Sequence, residues 1–276
     1  EVKLKTSVKK IEKSEVFKVF TDSEIFEVNK LIIATGGKSY EVTGSSGDGY
    51  SFSKELGLKI VEPRPALTPC YIKDYSYTTL AGVSFRNAIL ELWRDNKKLG
   101  TYEGDLLFTH KNLSGPLIID NSRYIKKDDK LRINFSGENL EIFEKNLRNT
   151  INNNGNKFVK NIFDNPNFSE RFIKVILKEC EISEETKCNS LKKEQIKRLI
   201  EALGNHAYEV SKLEGFNIAM VTAGGVALEE INKNTMESKK IKDLYIVGEL
   251  LDIDGDTGGY NIQGAYSTGA LAAESI

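Results

Sequence analysis

Residues 244–269 read LYIVGELLDIDGDTGGYNIQGAYSTG, and the order of textures in this stretch decides how the rest of the chain is read. Leu244 to Gly248 is a short apolar run without alternation, the pattern of a parallel strand covered on both faces. A polar, glycine-bearing loop follows. A helix is then expected from about Tyr260, with Gly264, Ala265, Thr268, Gly269 and Ala272 placing small side chains on one stripe. The free N–H groups and the dipole of such a helix start favour negative charge, and Gly258 and Gly259 let a planar or phosphorylated ligand approach the backbone. Taken alone, the stretch is read first as a tight turn with close helix packing, because no Walker lysine follows.

Working outward, a second α/β signature lies near the other end. In KLIIATGG the apolar run Leu31 to Ala34 is expected to be a strand covered on both faces, ended by Gly36 and Gly37. Before it, EVKLKTSVKKI alternates Val2, Leu4 and Val8 with lysines, predicting a half-buried strand that continues into a small antiparallel meander. After it, SGDGYSFSKELGLKI predicts a short helix stopped at Gly57.

Between the two ends the texture changes. EPRPALTP, with Pro63, Pro65 and Pro69, reads as an extended connector and a domain boundary. Residues from about 70 to 135 read as β, including a hairpin that turns at Asp95 and Asn96. From Asn139 to Leu213 the pattern is helical: Ile196, Leu199, Ile200 and Leu203 fall on one face, and Gly204 takes the place of a C-terminal cap. The expected fold is therefore α/β with insertions, an incomplete Rossmann-like domain interrupted by a β-rich, barrel-like unit and a helical unit. The boundaries are 1–62, 63–137, 138–215 and 216–276.

Composition narrows the function. Lys plus Arg total 39 and Asp plus Glu total 40, a net charge of -1 that offers no bulk attraction for nucleic acid or an anionic membrane. Residues 138–214 hold 13 basic and 13 acidic side chains, read as a solvated face and as an argument against a nucleic-acid-binding insert. Three scattered cysteines, Cys70, Cys180 and Cys188, suit a reducing compartment, and the cytoplasm is expected. Two histidines and no Cys-x-x-Cys pair leave no soft-metal constellation. No apolar run approaches the ~20 residues of a membrane span and no leader pattern is seen. The expected partner is a small-molecule substrate, with no nucleic acid and no membrane; the oligomeric state is left open.

Five separated motifs carry a family resemblance: LIIATGGKSYEVTGSSGDGY, RPALTP, LLFTHKNLSGP, VTAGGVALEEINKNTMESK and the opening stretch, in that order. Together they resemble the HI0933-like flavoproteins, NAD(P)/FAD-dependent oxidoreductases of the two-dinucleotide-binding type, over nearly the whole chain. Glu41 stands where the family often has Pro, and Lys111-Asn112 precedes LSGP where a Gly is usual; Asn112 is able to take a left-handed conformation there. The family begins with a strand, a G-x-G-x-x-G turn and a helix that bind the FAD pyrophosphate. No G-x-G-x-x-G occurs here, so the sequence resembles the family's chain without that N-terminal segment.

The resemblance implies FAD as cofactor, with NAD(P)H as the electron donor for hydride transfer through flavin N5 to a small organic substrate. It also implies site residues. Val8 corresponds to a strand residue whose backbone contacts the adenine, against an ordinary core valine on the sequence alone. Ala34, Thr35, Gly36 and Gly37 correspond to a loop passing the cofactor, against a strand-ending turn. Gly248 and Glu249 correspond to the segment along the ribityl chain, and Gly258, Gly259, Tyr260 and Asn261 to the turn and helix start beneath the flavin pyrimidine edge.

No residue is singled out as catalytic. Asp252, Asp254 and Asp256 read as turn formers that could also position flavin, and His110 with Ser114 reads as a loop histidine beside a helix-capping serine. The cysteines read as small packing residues. Glu229, Glu230 and Glu237 with Lys233, Lys239 and Lys240 read as a solvated surface. Two alternatives stay open: a non-catalytic folded fragment that does not retain FAD, and a flavin-linked RNA-modifying enzyme.

Overall fold

The computed structural model describes residues 1–276. Two units have separate cores, one formed by Glu1–Thr68 with Glu214–Ile276, the other by Pro69–Leu213. In chain order the first segment carries β1 (Val8–Lys13), β2 (Phe17–Thr21), β3 (Ile25–Val28), β4 (Leu31–Ile33), α1 (Asp48–Glu55) and β5 (Ile60–Ala66). The second unit begins with β6 (Cys70–Ile72), β7 (Ser84–Arg94), β8 (Lys97–Phe108), β9 (Leu113–Ser114), α2 (Pro116–Ile119) and β10 (Lys130–Asn134). It continues with α3 (Leu140–Asn153), α4 (Glu170–Glu179), α5 (Lys193–Gly204) and β11 (His206–Leu213). The last segment returns to the first unit with β12 (Val221–Val226), β13 (Leu244–Ile246) and α6 (Tyr260–Glu274).

In the first unit, β1, β2 and β3 form an antiparallel meander, β12 pairs antiparallel with β5, and β13 lies parallel to β4 with Ile246 opposite Ile33. The core beneath them gathers Phe17, Ile33, Phe52, Leu244, Ile246 and Leu250. Three expectations change here. The strand read from Val2 starts at Val8, and Val2 and Leu4 are each 82% exposed because no neighbouring strand pairs with residues 1–7. The connector read at Pro63 and Pro65 is β5 itself; a two-stranded sheet leaves an edge on which prolines without an N–H are tolerated. The strand β4 is covered on one face only, with Ile32 40% exposed, whereas β13 is buried throughout.

The second unit is a closed barrel in the order β10-β11-β6-β9-β8-β7. Its longest hairpin, β7 to β8, turns at Asp95 and Asn96 with φ of 51° and 60°, the doubly left-handed turn that matches strand twist. Phe85, Phe108, Phe135 and Phe172 fill the interior with ring centroids as close as 4.7 Å. The reading that separates residues 63–137 from 138–215 does not match this core, which α3, α4 and α5 share with the barrel. Its helical segment also ends early: β11 alternates buried Tyr208 and Val210 with more exposed neighbours and pairs with β10 and β6. Gly204 is the last residue of α5 rather than its cap. A Cβ there would lie 2.7 Å from Leu140 Cδ1, so close approach of α3 explains the glycine.

No helix is long and apolar enough to cross a membrane.

Candidate cofactor site

The buried strand β13 leads through Val247 into a short helical turn at Gly248–Leu250, then a loop, then α6. Two polar ties fix this path. The Gly248 N–H donates to Thr268 Oγ1 at 2.9 Å, joining the strand end to α6. Asn261 clamps the loop from the first turn of the helix: its Oδ1 accepts from the Gly255 N–H at 2.8 Å and its Nδ2 donates to the Gly255 carbonyl at 2.9 Å. Gly259 caps α6 with φ of 95°, a conformation that glycine takes without strain, and no side chain caps the helix start. A cavity of about 190 Å³ opens beside it, lined among others by Gly248, Glu249, Asp254, Tyr260, Asn261 and Gly264.

Glu249 ties the cavity lining to its surroundings. Its Oε1 accepts from the Thr222 N–H of β12 at 2.6 Å, and its carboxylate also takes the Gly37 N–H. Burial raises its carboxyl above the ordinary range, a shift that these two N–H donors partly oppose. Thr222 Oγ1 accepts in turn from the N–H groups of Lys38 and Ser39, at 2.8 and 3.1 Å. A Cβ on Gly37 would stand 2.6 Å from Thr222 Oγ1 and 2.8 Å from the Glu249 carboxyl carbon. Close approach of those side chains therefore accounts for this glycine. Tyr50 of α1 donates to the Glu249 carbonyl at 3.3 Å, and burial raises its phenol well above the ordinary value.

The structure thus brings Gly248, Glu249, Tyr260 and Asn261 to one cavity and ties Gly37 to it through Glu249. Ala34 and Thr35 are exposed after β4, and Gly36 follows with φ of 74°. Gly258, with φ of 110°, precedes the cap. Val8 stands half-buried at the start of β1 and does not line the cavity. Thr222 and Tyr50 lie outside the stretch that holds Glu249; both fall within quoted motifs, VTAGG and SSGDGY, but neither was singled out as a site residue.

Among the secondary candidates, Asp254 lines the cavity and Asp252 and Asp256 do not. Ser114 does not cap a helix: it lies in β9, and Gly115 precedes α2. His110 is exposed, and Asn112 is not left-handed; its N–H donates to Thr109 Oγ1 at 3.0 Å, which closes that loop. The three cysteines are buried and free. Glu230 is not solvated; it is 7% exposed and paired with Lys240 at 2.8 Å.

The small-residue stripe of α6 is not explained by packing within this chain. Only Ala272 of the helix is buried, and a Cβ built on Gly259, Gly264 or Gly269 would meet no atom within 4 Å. Gly264 sits inside a helix, where glycine costs about 1 kcal/mol relative to alanine, with nothing in the chain that demands it.

Residues 1–275 match the HI0933-like protein Rossmann domain. The chain belongs to the HI0933-like family. Curated proteins that this chain resembles include a ribosomal RNA dihydrouridine synthase of Haemophilus influenzae, 28% identical over 94% of the chain and 63% of the relative. A 3-dehydro-bile acid delta(4,6)-reductase of Clostridium scindens is 30% identical over 94% and 64%, and a ribosomal RNA dihydrouridine synthase of Escherichia coli 30% identical over 96% and 67%. The chain spans about two thirds of the length of these curated relatives.

These names correct one expectation. Exclusion of nucleic acid rested on net charge and on the balanced count over residues 138–214, and two of these relatives are named ribosomal RNA dihydrouridine synthase. A whole-chain balance averages over local patches, so it carries no exclusion.

The HI0933-like family is one of flavoprotein oxidoreductases, and the residues present fit a flavin. An uncapped helix start faces a small cavity, and glycines in open space let a flat ring lie against the backbone. The cavity is below the ~300 Å³ of a typical whole-ligand pocket, room for part of a dinucleotide.

Proposed function

We propose that the chain holds the flavin-ring end of FAD in an enzyme that reduces a carbon–carbon double bond conjugated to a carbonyl, with uridine in RNA as the substrate. Gly264 carries the reading: a helix-destabilising residue, facing open space beside the cavity, is accounted for by a ligand that needs that space. The names of the relatives support the reaction class. Forming dihydrouridine and reducing a delta-4 bond next to a 3-oxo group both add hydride to an electron-poor carbon and a proton to its neighbour.

When bound, FAD supplies a two-electron store, filled by hydride from NAD(P)H and emptied to the substrate carbon. The chain supplies the setting. The first N–H groups of α6 present positive partial charge at the cavity and would stabilise the negative charge that a bound flavin gains on reduction. Asn261 holds the loop before that turn, and Glu249, which lines the cavity, is fixed by the N–H groups of Gly37 and Thr222. Val8, Ala34, Thr35, Gly36 and Gly258 complete the proposed cofactor contacts.

The test is incubation of the protein with FAD, NADH or NADPH, and either a uridine-containing ribosomal RNA transcript or a 3-oxo-delta-4 steroid acid. The expected outcome is an RNA product heavier by two hydrogens at a uridine. Turnover of the steroid acid alone would select the small-molecule reading, which the Clostridium relative favours. Turnover of neither would remove the proposal.

A further inference from the structure

One end of the barrel carries a surface that cofactor chemistry does not explain. Arg94, the last residue of β7, is its hub. Its guanidinium grips Asp129 through two bonds of 2.7 and 2.8 Å and donates to the Tyr124 carbonyl at 2.8 Å. Asp129 is almost fully buried and also accepts from the Lys126 N–H at 2.7 Å, while Ile125 is anchored in the core. Arg94 lies opposite Lys97 across the hairpin, and Lys130 lies opposite Trp93. This wiring brings the β7–β8 turn, the 123–129 segment and the start of β10 to one place.

The charges collected there are mostly basic and uncommitted. Lys97, Lys126, Lys127 and Lys130 are exposed, and none of their ammonium groups has a carboxylate partner. The carboxylates nearby are spoken for: Asp129 by Arg94, Asp128 and Glu209 by Lys73, and Glu91 by Lys98. Asp95, in the turn, is the exposed acid left at the rim. Aromatic surface lies among the lysines. Tyr124 is 50% exposed, runs nearly parallel to Tyr102, at 8° and 5.9 Å, and has the Arg123 guanidinium carbon 6.0 Å from its ring centre, a loose contact that a base would displace. Unpaired cations around an exposed ring match single-stranded nucleic acid, whose phosphates need counter-charge and whose bases need a face to stack on.

We propose that this end of the barrel docks RNA, with Lys97, Lys126, Lys127 and Lys130 on the phosphate chain and Tyr124 stacking an unpaired base. The inference rests on RNA being the substrate, but it concerns a different unit from the cofactor cavity and is tested without turnover.

The experiment measures binding of the whole protein to a fluorescein-labelled RNA hairpin of about 20 nucleotides with an unpaired loop, by anisotropy across a salt series. Each phosphate contact contributes about 0.7 to the slope of log K against log salt for single strands. Lys126→Glu with Lys127→Glu is expected to weaken binding by at least about tenfold and to flatten the slope by about 1.4. Tyr124→Leu, which keeps an apolar group on Tyr102, is expected to weaken binding roughly tenfold with the slope unchanged. Lys233→Glu with Lys242→Glu, an equal charge change on exposed lysines of the other unit, serves as control and is expected to have a small effect. Equal losses in the two charge pairs would overturn the proposal, as would no measurable RNA binding by the unmodified protein. Tighter, Lys126-dependent binding to phosphatidylserine vesicles than to the RNA would overturn it in favour of a membrane surface. Failure to form dihydrouridine with these binding results intact would count against the proposed reaction and not against the docking surface.

Discussion

The barrel and the sheet unit are built from similar material and reach different kinds of completeness. In the barrel six strands close on themselves, leaving no sheet edge, and the interior is filled by phenylalanines that are 0% exposed. In the other unit β4 and β13 pair over three residues each, Ile32 is exposed, and a fifteen-residue helix buries one alanine. The difference teaches where to look for function. The residues of the barrel core are accounted for by one another, whereas the glycines of α6 are not.

The comparison breaks most severely in the barrel core. Phe135 touches Phe85, Phe108 and Phe172, so Phe135→Ala is expected to cost about 3–5 kcal/mol, read from the urea midpoint of the whole protein. A cost below about 1 kcal/mol would mean that the core is far looser than described. In the sheet unit the matching probe is Gly37→Ala, whose methyl would crowd Thr222 and Glu249. Overpacking of this kind costs about 1–3 kcal/mol, and it is expected to displace Glu249 from the Thr222 N–H, which amide exchange at Thr222 would register.

A pH series sharpens the contrast further. His206 sits at the barrel end, its Nε2 3.1 Å from the Tyr77 hydroxyl, and burial lowers its pKa to about 4. The unfolded imidazole takes its proton at about pH 6.5. The stability from keeping His206 neutral is therefore complete above that pH and is lost progressively as pH falls toward 4. The loss is expected to be on the order of 2 kcal/mol and to be missing in His206→Phe, checked by denaturation at neutral and mildly acid pH. The smallest effect has the opposite sign: Gly264→Ala is expected to raise stability by up to about 1 kcal/mol, since its methyl meets no atom.

What could be read from sequence followed the range of the interactions. The hairpin at Asp95 and Asn96 and the order strand, loop, helix through Tyr260 depend on neighbours in the chain, and both are where they were expected. The strand β11 is not local. Its partners Cys70 and Ile72 lie well over a hundred residues away, so the helical pattern read from Asn139 was carried on through it to Leu213. The same holds at the cofactor site. Gly248, Glu249 and Gly258 to Asn261 could be named through the family resemblance their stretch carries, but Thr222 became part of the site only through Glu249, Lys38 and Ser39. Gly204 and Gly37 show the limit for single residues: both looked like punctuation, and both are explained by a side chain from elsewhere pressing on the backbone. The basic end of the barrel was not read from the sequence because charge was summed over the whole chain and over residues 138–214, whereas Arg94 gathers residues of 94–130 in space.

The central claim is that the open space over Gly264 belongs to a flavin. Its most direct test is a fluorescence titration of FAD against the protein and against Gly264→Leu. Leucine is a good helix former, so α6 is expected to persist, checked by an unchanged or higher thermal midpoint, while its side chain fills the cavity. The account predicts saturable quenching of FAD by the unsubstituted protein and none by the variant. Equal binding by both, or no binding by either, would contradict it.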